Sequence, residues 1–257
     1  MLDYNKSLET GQIYNVDSFN FGKNLLKDVK FLGFDLILVN PPLYSEKQTQ
    51  WNTAFDYNFW LEERLDVYTK LLNSRGNLVI YTNERCNFFI RSILRKSLIE
   101  KKSIIWVKKS DTVSINPNLK QSAIRTLING YEQILWYAKS SSYIFNQQYS
   151  KTNFNNYNND NNIENTDMLT DVWTDIKTID SDRYVKPERL SDRIVRLFSY
   201  SGVVYIPFAG SGNEIVSCMK NRKKWIATET SMPIINNVIN PKIKDRKNII
   251  QKLINYD

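Results

Sequence analysis

Val203-Val204-Tyr205-Ile206-Pro207-Phe208-Ala209-Gly210-Ser211-Gly212-Asn213-Glu214-Ile215-Val216 is the stretch that decides the fold. The apolar, mostly β-branched residues 203–206 predict a buried strand, and Pro207 stops it because proline cannot donate to a central ladder. Ala209, Gly210, Ser211 and Gly212 are small enough to let a ligand approach the backbone, and the helix that follows aims unpaired N–H groups at it. Ile215, Val216 and Met219 mark the inward face of that helix. A second strand at Trp225-Ile226-Ala227 ends at Glu229, where an acid is placed to accept hydrogen bonds from a ribose diol. The unit reads as the nucleoside-binding half of an α/β sheet, although tight packing alone also produces such a turn.

Upstream the same alternation recurs. Phe34-Asp35-Leu36-Ile37-Leu38-Val39 predicts a buried parallel strand that stops at Asn40-Pro41-Pro42. Trp60, Leu61, Leu65, Tyr68, Leu71 and Leu72 repeat at helical spacing, and Asn73-Ser74-Arg75-Gly76 is expected to end that helix as a turn. Leu78-Val79-Ile80-Tyr81 predicts a strand and Phe88, Phe89, Ile93 and Leu94 a helix. Further strands are predicted at Ile104-Ile105-Trp106-Val107 and Ile134-Leu135-Trp136-Tyr137. Glu188 to Tyr200 carries Leu190, Ile194, Leu197 and Phe198 on one helical face. Alternation of this kind implies a doubly wound α/β sheet in one domain over 1–257. Residues 140–167, with Gln147-Gln148 and an Asn-rich run from Asn153 to Asn165, have little to bury and are expected to form a mobile insert or loop.

Composition narrows the chemistry. The 257 residues contain no histidine, which excludes Ser-His-Asp triads, Cys-His dyads and the usual zinc hydrolase sites. Two cysteines, Cys86 and Cys218, make neither a disulfide framework nor a metal-ligand spacing, so no metal is expected. A net charge of +8 is the footprint of a protein that meets phosphate backbones, or of a lysine-rich solvated surface. No apolar run is long enough to span a bilayer and Met1-Leu2-Asp3-Tyr4-Asn5 lacks the pattern of a signal peptide. No membrane association is therefore expected, and the expected location is cytoplasmic, or nuclear in a eukaryote.

The Asn40-Pro41-Pro42-Leu43-Tyr44 stretch has its own chemistry. Two prolines fix the backbone and remove two donors, leaving carbonyl oxygens free to face a cleft. An Asn side-chain oxygen beside such a carbonyl accepts two hydrogen bonds from one amino group and so orients its lone pair.

Together these blocks resemble the DNA amino-methyltransferase family, in the permuted branch where the catalytic tetrapeptide precedes the cofactor loop. Ile13-Tyr14-Asn15-Val16-Asp17 resembles the opening strand, and Asn40-Pro41-Pro42-Leu43 sits where Asp-Pro-Pro-Tyr is expected. Gly130 to Lys139, Asp171-Val172-Trp173, Lys186-Pro187-Glu188-Arg189-Leu190 and Pro207 to Gly212 match later blocks in order. The resemblance implies a Rossmann-like seven-stranded sheet with helices on both faces and S-adenosylmethionine as cofactor. It implies methyl transfer to the exocyclic amine of adenine in DNA, the base being rotated out of the helix. Asn40, Pro41, Pro42 and Leu43 would be the catalytic group; Asp17, Lys186, Phe208, Gly210, Ser211, Gly212 and Glu229 would bind the cofactor. Lys108, Lys109, Lys120 and Arg125 are candidates for contact with the nucleic-acid backbone.

Three positions depart from the family pattern. Asn40 replaces an acid and cannot offset charge growing on the amine. Leu43 replaces the aromatic on which a flipped base stacks, a contact of about 1–3 kcal/mol. Ile206 replaces an acid near the methionine end of the cofactor and offers its ammonium no partner. A second reading therefore stands beside the enzyme: a catalytically inactive subunit that binds DNA or supports an active partner methyltransferase, in a homo- or hetero-oligomer. A third, another nucleotide-binding α/β protein, accounts for the glycine loop alone.

Overall fold

The computed structural model describes residues 9–42, 51, 53–108, 130–147, 149–151, 166–179 and 185–254. Strands β1 (Gln12–Asn15), β2 (Phe34–Val39), β3 (Leu72–Thr82), β4 (Ile99–Val107), β5 (Tyr131–Ala138), β8 (Val172–Trp173), β9 (Val203–Ile206) and β10 (Lys224–Glu229) form one sheet in the order β1-β10-β9-β2-β3-β5-β4-β8. β1, β10, β9, β2 and β3 run parallel, and β5 alone runs antiparallel to its neighbours β3 and β4. The expected seven strands are present; an eighth arises because Val172 and Trp173 pair with Ile105 and Trp106 at the open edge. β6 (Tyr149–Lys151) and β7 (Thr166–Met168) pair separately and antiparallel.

All six residues of β2 are buried, as a strand with covered faces requires. Its side chains alternate between two cores: Phe34, Ile37 and Val39 meet α1 (Ser18–Leu25), α2 (Ala54–Leu71) and α3 (Glu84–Leu94). Leu36 and Leu38 meet α4 (Glu188–Phe198), α5 (Asn213–Lys220) and the C-terminal helical segment. Each fully buried Leu or Ile contributes roughly 1.5–3 kcal/mol. Helix starts are fixed locally. Thr53 Oγ1 accepts from the Asp56 N–H at 3.1 Å while Asp56 accepts from the Thr53 N–H at 3.0 Å, a reciprocal cap for α2. The C-terminal segment runs from α6 (Met232–Ile234) through a π-helical turn (Ile235–Ile239) into α7 (Asn240–Ile254). That turn ends two residues before Pro241, which lacks the N–H an α-helix needs there.

The Asn73–Gly76 stretch differs from expectation. α2 ends at Leu71 and β3 begins at Leu72 without a separate turn. Phe34 pairs with Leu72 but Leu36 with Asn77, so residues 73–76 are accommodated as an irregularity inside the strand. Turn chemistry persists there, the Asn73 side chain accepting from the Arg75 N–H at 2.9 Å. In the 140–167 stretch the first residues pack on the domain: Ile144 is buried, and Asn146 donates to the carbonyls of Arg196 and Ser199 at the end of α4. Residues 152–165 lie outside the described residues.

Candidate active site at the carboxyl edge of the sheet

Ile37 of β2 lies opposite Tyr205 of β9 in a parallel pair. Three residues further along each strand, Asn40 and Phe208 therefore leave the sheet side by side. β10 pairs with β9 and β1 with β10, so Glu229 and Asn15 end at the same edge. The sheet thus gathers Asp17, Asn40, Pro41, Pro42, Phe208, Gly210, Ser211, Gly212 and Glu229 from four parallel strands. Leu43, Tyr44, Lys109, Lys120 and Arg125 lie outside the described residues.

The glycine loop is held open. Gly210 and Gly212 have φ of 45° and 76°, a conformation that side chains rarely adopt. A Cβ built on Gly210 meets nothing within 4 Å, so the space over the loop is free. The Gly212 N–H donates to the Ala209 carbonyl at 2.8 Å, and Lys242 from α7 straps the loop through the Ser211 carbonyl at 2.7 Å and Asn213 Oδ1 at 2.9 Å. Glu229 faces the loop: its carboxylate accepts from the N–H groups of Gly210 at 3.0 Å and Ser231 at 2.9 Å. Lone pairs remain on it for a diol. Open space over Gly210 and a fixed acid opposite it fit the nucleoside end of a cofactor.

Other predicted residues carry structural duties. Asp17 caps α1 by accepting from the N–H groups of Phe19 at 3.0 Å and Asn20 at 3.3 Å, and its other oxygen pairs with Arg64 at 2.8 Å. Lys186 is buried, and its ammonium pairs with Glu132, whose second oxygen takes Lys108 at 2.5 Å. The Lys186 carbonyl accepts from Asn213 at 2.7 Å, tying the start of α4 to the start of α5. Lys108 therefore stands at the edge as one arm of an ion triad. Ile206 is fully buried among apolar side chains of the α4 side. No described group of His, Cys, Asp and Glu is arranged to hold a metal, and no described helix is long and apolar enough to cross a membrane.

An aromatic wall was missed by sequence reasoning. Trp60 lies 5.8 Å from Phe208 and 5.1 Å from Trp51, with the Arg64 guanidinium 4.2 Å over its ring. Trp60 was legible only as a core residue of α2, because periodicity shows which face is inward and not what that face meets. Glu214 was missed too. It is buried at the first turn of α5, and burial pushes its carboxyl up to about 7 against the pull of Lys186 and Lys242.

Known proteins resemble this arrangement over most of the chain. A family model described as DNA methylase, covering N6 and N4 methyltransferases, matches residues 34–240. The type II methyltransferase M1.MboII of Moraxella bovis is 24% identical over 264 residues, covering 89% of this chain and 95% of the relative. The crystal structure of the M1.HpyAVI–SAM complex superposes with a TM-score of 0.60 at 23% identity, covering 91% of this chain and 98% of that one. The cytosine-N4-specific PvuII DNA methyltransferase superposes with a TM-score of 0.65 at 16% identity, covering 94% and 93%.

Proposed function

The chain belongs to the DNA methylase family of N6 and N4 methyltransferases, and from that premise we propose that it uses S-adenosylmethionine to methylate the exocyclic amine of adenine in DNA. The observation that carries this reading is the pairing of Ile37 with Tyr205, which sets Asn40-Pro41-Pro42 beside the Pro207–Gly212 loop. When bound, the cofactor supplies an electrophilic methyl group on a sulfonium. Glu229 holds the ribose diol, Gly210 and Gly212 give the backbone room to approach, and Phe208, backed by Trp60, offers an apolar surface to the adenine ring. The Asn40 side-chain oxygen and the Pro41 carbonyl accept the two hydrogens of the target amine and turn its lone pair toward the cleft. The [Asp/Asn]-Pro-Pro form favours adenine over cytosine, and the net charge of +8 with the basic residues Lys109, Lys120 and Arg125 supports DNA as the partner.

Asn40, Leu43 and the buried Ile206 favour a second reading, an inactive subunit that supports an active methyltransferase. The discriminating experiment is tritiated-methyl transfer to mixed-sequence DNA, followed by separation of N6-methyladenine from N4-methylcytosine, alongside calorimetric titration with S-adenosylmethionine. Labelled N6-methyladenine supports the proposal, and labelled N4-methylcytosine replaces adenine as target. Transfer that appears only in the Asn40→Asp, Leu43→Tyr double variant shows that the native chain has lost its chemistry through that tetrapeptide and favours the inactive subunit.

A further inference from the structure

Positive charge backs the glycine loop where Lys242 meets the Ser211 carbonyl. The start of α5 presents the positive end of a helix dipole. Lys242 binds the Ser211 carbonyl, and Lys186, paired with Glu132, is tied to the start of α5 through Asn213. A ligand with a sulfonium gains from a counter-charge there; Glu229 is assigned to the ribose end, and most other acids nearby are committed. Asp17 is paired with Arg64 and Glu132 with two lysines, while position 206 is an isoleucine in the core.

Glu214 is the exception. It stands two residues beyond Gly212 in the first turn of α5, is 2% exposed, and its Oε1 has no hydrogen-bond partner among the described residues. Tyr81 of β3 and Ser191 of α4 face it with buried hydroxyls, and Ser191 is the nearest group able to donate to the carboxylate. The remaining groups around it are Lys186 before α4, Lys242 of α7, Cys218 of α5 and, beyond Tyr81, Glu132 of β5. A buried acid with so few partners for its oxygens is costly.

Resting on the reading of this edge as an S-adenosylmethionine site, we propose that Glu214 is a specificity-determining residue of that site. From behind the glycine loop and without touching the ligand, its buried carboxylate favours the cationic cofactor over the neutral-sulfur product S-adenosylhomocysteine. In a low-dielectric interior a unit charge is felt across several ångströms, so contact is unnecessary. Because burial places the Glu214 carboxyl at about 7, the preference grows as pH rises through neutrality.

The test is calorimetric titration of the full chain with S-adenosylmethionine and with S-adenosylhomocysteine at about pH 6 and about pH 8.5, in the native chain and in Glu214→Gln. The ratio of the two affinities is expected to rise about fivefold to tenfold between these pH values in the native chain and to stay flat in the variant. A flat native ratio, or a rise that persists in Glu214→Gln, overturns the assignment while leaving the cofactor site in place. Binding of neither nucleoside overturns both. Should Glu214→Gln not fold, Lys242→Met removes a cation that holds the acid down and is expected to move the midpoint of the pH dependence upward; an unmoved midpoint overturns the proposal.

Discussion

Asp35 and Gly202 are fitted to each other. The Asp35 carboxylate accepts from the Gly202 N–H at 2.7 Å, and a Cβ on Gly202 would stand 2.2 Å from Asp35 Oδ1. Asp35 also accepts from Asn73 at 2.7 Å and from the Tyr200 N–H at 3.3 Å, so a buried acid in β2 ties the segment between α4 and β9 to the sheet. Gly202→Ala is expected to cost about 2–4 kcal/mol, since the methyl and the carboxylate cannot share the space. Asp35→Ala removes three acceptor contacts and is expected to cost about 3 kcal/mol. Urea unfolding of the double variant decides the cause: with the carboxylate gone the added methyl has room, so the two costs must sum to more than the double variant loses. Strict additivity would show that the contact is incidental.

Asn77 performs a similar duty in the neighbouring strand β3. It is fully buried, donates to the carbonyls of Ile144 at 2.8 Å and Phe198 at 3.0 Å, and accepts from the Trp136 indole at 2.8 Å. Asn77→Ala strands all three and is expected to lower stability by about 3 kcal/mol. Asn77→Asp keeps the acceptor for Trp136 but aims a carboxylate at two carbonyls, so it should be at least as damaging. Denaturant titration followed by tryptophan fluorescence reads both. A loss below about 1 kcal/mol in either would mean that water replaces the side chain without penalty.

The elements that hold the site were legible because their signals are local. Residues 34–39 are an apolar run cut off by two prolines, and 203–212 is a strand, a proline and a glycine turn; both appear in the fold at the stated places. Their meeting at one edge, which the family resemblance implies, is seen in the pairing of Ile37 with Tyr205. The duties of Lys186 and Asp17 were not legible. Lys186 binds Glu132 across 54 residues and Asp17 binds Arg64 across 47, and no periodicity encodes a pairing at that distance. Glu214 was hidden for the opposite reason. An acid in the first turn of a helix is ordinarily a solvated partner of the helix dipole, and only the packing of α4 and α5 turns it inward.

Glu132 joins Lys108 and Lys186 in a nearly dry environment, with side chains 10%, 24% and 5% exposed. Glu132→Gln leaves two ammonium groups facing a neutral amide and is expected to cost about 3 kcal/mol, because breaking a buried pair strands its partners. Lys186→Met should cost less, since Glu132 keeps Lys108. In the double variant Glu132→Gln, Lys186→Met the stranded charge is gone, and part of the loss should return. A double-mutant cycle by urea unfolding measures that coupling. A coupling near zero would mean that the triad is solvent-screened in solution and that Lys108 is free to meet a phosphate.

The ionisation of Glu214 gives stability a dependence on pH of definite sign. Burial raises the carboxyl from its ordinary 4.5 to about 7. Between these values the folded chain holds a proton that the unfolded chain releases, so stability falls as pH rises across the window and levels off above it. The size follows from the shift at about 1.4 kcal/mol per unit, up to roughly 3 kcal/mol. Glu214→Gln has no proton to lose, so the variant should match the native chain at about pH 4.5 and exceed its stability by up to that amount at about pH 8. Other titrating groups are common to both proteins and cancel in the difference. Unfolding by urea at several pH values measures it. A difference that is constant with pH, or that favours the native chain at high pH, would show that Glu214 is ionised and compensated throughout.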